Sequence, residues 1–119
     1  MVQGKPGRRT PRVPMGGEAV LAGRARRAAT LVDLSLSGCL VRCDAPLDHG
    51  AIFDLSFRLG DEPFAAKVRV AECPMDGAQS AAAPVYLAGL EFIGLSARAE
   101  GRLLRFLGTR RRSADAPAE

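Results

Sequence analysis

The chain of 119 residues has no tryptophan, one tyrosine, one histidine and three cysteines. Each scarcity excludes something. With aromatics at 5%, a core must be built from Val, Leu, Ile, Ala and a few Phe, and few rings remain for stacking single-stranded bases. His49 stands alone in the turn-like Leu47-Asp48-His49-Gly50, so no Ser-His-Asp set can be assembled. Asp61-Glu62 fall in an expected turn as solvated charges, and no phosphate-loop or dinucleotide glycine pattern occurs. The chain is therefore not expected to be an enzyme. Three cysteines without a C-x-x-C pair argue against a disulfide framework or a zinc site, and read instead as buried reduced thiols. No apolar run approaches the ~20 residues of a membrane helix. The stretch from Met1 to Met15 has no apolar signal region, so the expected address is cytoplasmic.

Hydrophobic residues nonetheless make up 47% of the chain, enough for the core of one modest domain. The net charge of +4 and pI near 9.5 come from clusters at Lys5 to Arg12, Arg24 to Arg27 and Arg110 to Arg112, while the middle is nearly balanced. That distribution favours an anionic partner. The clusters at Arg24–Arg27 and Arg110–Arg112 also fit a solvated strand edge and a favourable helix C-terminus.

Residues 1–16 are rich in Gly and Pro, show no periodicity, and are expected to form a flexible basic arm. Pro11 disfavours helix at Thr10. From Glu18 the pattern becomes strand-like: Ala19 to Leu21, then Ala28 to Val32 ending at Asp33. Cys39, Val41 and Cys43 alternate with Leu40, Arg42 and Asp44. Phe53, Leu55 and Phe57 follow, then Phe64, Ala66, Val68 and Val70, and last Tyr86, Ala88, Leu90 and Phe92. Turns are expected at Pro46–Gly50 and Gly60-Asp61, and a flexible loop at Pro74–Pro84. About six strands with short connections predict an antiparallel barrel or sandwich. One helix follows, capped by Ser96, with Leu103, Phe106 and Leu107 on one face and Gly108 as its expected end. Thus 17–108 is the expected domain and 109–119 a disordered tail.

Two patches carry the chemistry. Arg8-Arg9-Thr10-Pro11-Arg12 places planar guanidinium forks on the arm, suited to phosphate oxygens or the O6/N7 edge of guanine. Asp33-Leu34-Ser35-Leu36-Ser37-Gly38 adds a carboxylate, hydroxyls and bare backbone. A carboxylate is out of place in a pure phosphate site. It makes sense if Asp33 accepts the N1–H and N2–H of guanine, or holds an arginine in position. Ser35 offers a small donor and acceptor, and Gly38 lets a ligand come close to backbone. Together the residues suit a small anionic ligand with guanine edges; taken singly, the first patch also reads as a basic tail that aids solubility and the second as an ordinary Asx or Ser turn between strands.

Arg8-x-x-x-Arg12 followed by Asp33-x-Ser35-x-x-Gly38 resembles the paired signature of PilZ domains, bacterial receptors for cyclic di-GMP. Arg12-Val13-Pro14, Gly89-Leu90-Glu91-Phe92 and the closing helix extend the resemblance over nearly the whole domain. It implies a six-stranded antiparallel β-barrel with one C-terminal α-helix, and an arm that folds over the barrel when ligand arrives. Arg8, Arg9 and Arg12 would then grip guanine and phosphate, with Asp33, Ser35 and Gly38 lining the barrel side. Gly7 and Ser37 depart from many members, which carry a further polar residue before the first arginine and a second glycine in the later motif.

The function expected from this resemblance is a cyclic di-GMP receptor or adaptor that changes conformation on binding and signals to an unidentified effector protein. It would act as a monomer or a ligand-modulated dimer, without membrane insertion and with no cofactor beyond the ligand. Two alternatives stand beside it: a PilZ-like adaptor in motility or pilus assembly that binds no ligand, and a nucleic-acid-binding β-barrel.

Overall fold

The computed structural model describes residues 12–74 and 84–115, with helix side chains described through Thr109. Seven strands and a helix are formed among them: β1 (Val13–Pro14), β2 (Glu18–Ala22), β3 (Arg26–Leu34), β4 (Gly38–Cys43), β5 (Ile52–Leu59), β6 (Glu62–Glu72), β7 (Tyr86–Ile93) and α1 (Ala97–Asp115). Around the wall the order is β3-β2-β5-β6-β7-β4, and β3 pairs with β4 to complete the ring. The result is a closed six-stranded antiparallel barrel. Closure leaves no free strand edge among the six, which a sandwich of the same strands would expose.

Alternation along each strand explains which residues fill the interior. In β5, Leu55, Phe57 and Leu59 are buried while Asp54, Ser56 and Arg58 are exposed. Leu21, Leu31, Val41, Val68, Val70, Ala88 and Leu90 complete the same face of the other strands. Phe64 packs between Phe57, at 5.2 Å between ring centroids, and Phe92, at 6.3 Å. The β5–β6 hairpin turns on Gly60-Asp61 alone, since Leu59 pairs with Glu62. Gly60 has φ +62°, the positive value a two-residue hairpin needs at its first central position.

Val13 and Pro14, assigned from sequence to the arm, form β1 instead. Val13 is buried, the Met15 N–H donates to the Val32 carbonyl at 2.8 Å, and Leu31 N–H donates to the Gly17 carbonyl at 2.8 Å. β1 pairs only with β3, an edge position that tolerates Pro14 because no second neighbour needs its missing N–H.

Helix α1 starts as expected, with the Ala99 N–H donating to Ser96 Oγ at 3.1 Å. It does not stop at Gly108 but runs to Asp115. A terminating glycine adopts positive φ, and Gly108 is not among the glycines that do. Residues 109–115, read as disordered tail from the sequence, are thus helical. Leu103 and Leu107 are buried against the barrel. Arg102 ties the helix to the start of β6, donating to the Pro63 carbonyl at 2.9 Å and lying 5.4 Å from the centre of the Phe64 ring. No helix among the described residues is long and apolar enough to cross a membrane. Most of the expected 74–84 loop, residues 1–11 of the arm and residues 116–119 lie outside the described residues.

Candidate functional site

A β-bulge sets the position of the key carboxylate. In β3, Ala29 and Leu31 point into the barrel, so strict alternation would send Asp33 inward too. Instead the register with β4 slips between Leu31 and Asp33: Leu31 opposes Val41 while Asp33 opposes Leu40. The extra residue, Val32, flips the phase. Leu34 becomes the buried residue and Asp33 turns outward, its side chain 19% exposed.

β1 brings Arg12 to the same place. Pro14 stands opposite Asp33, so Arg12, two residues before it, lies diagonally across on the outer face. Its Nη1 donates to Asp33 Oδ1 at 2.6 Å. This is one of the two roles expected of Asp33, holding an arginine in position. The pair is partly exposed and is worth on the order of 1 kcal/mol, weak enough to be exchanged for contacts with a ligand.

The turn after β3 holds Ser35 differently from the expectation. Ser35 is fully buried. Its hydroxyl donates to the Gly38 carbonyl at 3.2 Å, accepts the Ser37 N–H at 3.3 Å and lies 3.2 Å from Ser37 Oγ, while its own N–H donates to the Gly38 carbonyl at 2.8 Å. These bonds close the turn from within, and the hydroxyl facing the surface is that of Ser37. Gly38 is required by packing: a Cβ there would collide with the Leu90 carbonyl oxygen of β7.

These residues border a cleft of about 690 Å³ on the outer wall formed by β3, β4, β7 and β6. Arg12, Asp33, Ser37 and Gly38 line one side; Arg69, Glu72 and Glu91 line the other; Leu36, Leu40, Phe92 and Leu95 provide apolar surface. A second bulge, between Val70 and Glu72 in β6, borders this far side. Arg69 faces Glu91 directly across β6 and β7, and its Nε and Nη2 donate to Glu91 Oε1 at 3.2 and 3.0 Å. Sequence reasoning singles out neither Arg69 nor Glu72, and Glu91 enters it only as part of Gly89-Leu90-Glu91-Phe92, not as a binding residue. The alternation marks Arg69 and Glu91 as outward-facing, but only the closed barrel brings them to the same cleft as Asp33. Cys39, beneath the cleft, is an inert thiol: burial pushes it up to about 12, Asp33 adds to the rise and Arg12 opposes it.

Of the residues expected to bind ligand, Arg12, Asp33 and Gly38 come together at the cleft, Ser35 supports it from beneath, and Arg8 and Arg9 lie outside the described residues.

Comparison with known proteins agrees with this architecture. The model of the PilZ domain matches residues 6–108. Among solved structures, the PilZ domain of YcgR from Escherichia coli, determined with c-di-GMP, superposes with a TM-score of 0.72 at 18% identity, covering 89% of this chain and 92% of that one. The Bacillus subtilis inhibitor of motility MotI/DgrA gives 0.78 at 16% identity, over 98% of this chain and 55% of that one. MrkH of K. pneumonia, in its c-di-GMP complex, gives 0.77 at 17% identity, over 96% and 55%. No curated protein sequence matches the chain. With the family model spanning most of its length, the chain belongs to the PilZ domain family.

Proposed function

We infer that this protein is a cytoplasmic receptor for cyclic di-GMP that passes the signal to a partner protein. The observation that carries this reading is the Arg12–Asp33 pair at the mouth of a cleft large enough for a nucleotide. A guanidinium suits phosphate or the O6/N7 edge of guanine, and a carboxylate suits its N1–H and N2–H. Binding of cyclic di-GMP by relatives of the same fold supports the choice of ligand.

Charge balance says what else the site needs. The described cleft has two arginines, Arg12 and Arg69, against three carboxylates, Asp33, Glu72 and Glu91. That balance is one negative charge, which by itself repels a ligand with two phosphodiesters. Arg8, by its place in the motif, and Arg9, as a third cation beside it, would supply the missing positive charge. Ligand phosphate would draw Arg12 from Asp33 and free that carboxylate for a base, so the segment leading into β1 changes its contacts as the ligand enters. This is a local electrostatic switch.

Isothermal titration with cyclic di-GMP at physiological salt tests the reading, with GMP and a short oligonucleotide as controls. Saturable heat with cyclic di-GMP alone is expected, and Arg12→Ala should weaken it roughly 10- to 100-fold. Unchanged affinity in Arg12→Ala would overturn the site. Absence of binding by folded protein would leave an adaptor that works through protein contacts alone.

A further inference from the structure

We propose that Arg69 and Glu91 form a second guanine-reading pair on the far wall of the cleft, facing the Arg12–Asp33 pair; the proposal rests on the cyclic di-GMP reading above. The two pairs are chemically alike. Each joins one guanidinium to one carboxylate, and both line the same cleft. Each can offer an acceptor to the N1–H/N2–H edge of guanine and donors to its O6/N7 edge or to phosphate.

The open valences point the same way. Both donors of Arg69 go to one oxygen, Oε1, of Glu91. Among the described residues no hydrogen bond reaches Oε2, which leaves an anionic acceptor at the cleft wall. The pair is half exposed, with side chains at 49% and 52%, so it is accessible to a ligand. Between the two pairs Leu40 on β4 offers apolar surface for a base face, and Gly89, beside it on β7, contributes backbone and no side chain. Asp33 on β3 lies level with Leu40 and Gly89, and Glu91 stands two residues further along β7, so two strand spacings and two residues of rise separate the carboxylates by roughly 12 Å. A ligand with two guanines separated by a compact sugar–phosphate ring can present one base edge to each.

The bland alternative is that Arg69–Glu91 only steadies the sheet, as cross-strand ion pairs do. The barrel contains a control for this. Lys67 and Asp54 form another exposed cross-strand pair, at 3.0 Å between β6 and β5, and neither lines the cleft.

The deciding experiment measures affinity for cyclic di-GMP and for its hypoxanthine analogue cyclic di-IMP, which lacks the N2 amine. The parent, Glu91→Gln, Arg69→Ala and the control Lys67→Ala are compared, each checked for an intact melting transition. Glu91→Gln is expected to weaken cyclic di-GMP binding about tenfold or more and to lower the preference for cyclic di-GMP over cyclic di-IMP. A sheet-steadying role would leave that preference unmoved. Lys67→Ala should retain both the affinity and the preference of the parent. If the parent binds cyclic di-GMP and Glu91→Gln keeps its affinity and its preference, the second pair is refuted while the receptor reading stands. If the folded parent binds neither ligand, both readings fail together.

Discussion

Replacing Gly38 with alanine tests whether this glycine serves the ligand or the barrel. A Cβ built at Gly38 strikes the Leu90 carbonyl oxygen, and lies 3.0 Å from the Leu90 carbonyl carbon and 3.2 Å from Glu91 Cα. All three atoms belong to the β7 backbone, so none can rotate aside. β4 and β7 must separate where Gly38 meets Glu91 and Cys39 meets Leu90. Overpacking of this kind costs about 1–3 kcal/mol. Alanine returns about 0.4–1 kcal/mol by restricting the unfolded chain, leaving a net loss of roughly 1–2 kcal/mol. At about 4–8 °C per kcal/mol for a domain near this size, the melting temperature should fall by roughly 5–15 °C. Gly89→Ala is the matched control. Its added Cβ comes no closer than 3.4 Å, to Cγ of the flexible Glu72 side chain, with the Glu72 carbonyl oxygen at an ordinary 3.9 Å, so stability should stay within about 0.5 kcal/mol of the parent. Thermal melts of the two variants without ligand make the comparison. A Gly38→Ala protein that melts with the parent would refute the packing argument and return Gly38 to a role in ligand approach alone.

Two further outcomes follow from the core. Leu103→Ala empties the contact by which α1 sits on the barrel; as Leu103 is fully buried, the loss should be about 2–5 kcal/mol, seen as a lower urea midpoint. Alkaline pH should also destabilise the protein: burial raises Cys39 to about 12 and Cys43 to about 11 from the ordinary 9.0. Above about pH 9 the unfolded chain releases thiol protons that the folded chain keeps, so stability falls as pH climbs towards those values and the contribution is intact below pH 9. Urea midpoints taken across this range should drop less steeply in Cys39→Ala than in the parent; parallel slopes would count against the buried-thiol account.

Much of the barrel was legible in the residues because a half-buried strand writes its two faces with period two. Leu55 and Phe57 against Asp54 and Ser56, or Val68 and Val70 against Lys67 and Arg69, announce their inner faces without reference to any partner. Gly60-Asp61 and Ser96 are local signals as well, since hairpin and cap chemistry involve only neighbouring residues. Gly108 permits a stop to α1 but does not impose one, and the helix runs on to Asp115. The start of the folded region is not legible locally, because Val13 acquires its burial from β3, where its partner Leu34 lies twenty-one residues away in sequence.

The site divides along the same line. Arg12 and Asp33 were recognisable as ligand chemistry from residue type and motif spacing, and that they could meet was one of two options left open. Their actual meeting depends on the Val32 bulge, which turns Asp33 outward, and on β1, which carries Arg12 across from it. Ser35 belongs to the motif by its spacing, yet its hydroxyl is spent inside its own turn. Sequence by itself determined the alternating faces, the turns, the helix start and the chemical character of the binding residues, because each depends on near neighbours along the chain. Tertiary structure decided that the strands close into a barrel, which way Asp33 points, and that Arg69 and Glu91 share its cleft. Each of these depends on register between strands distant in the chain, where a shift of one residue reverses every side chain.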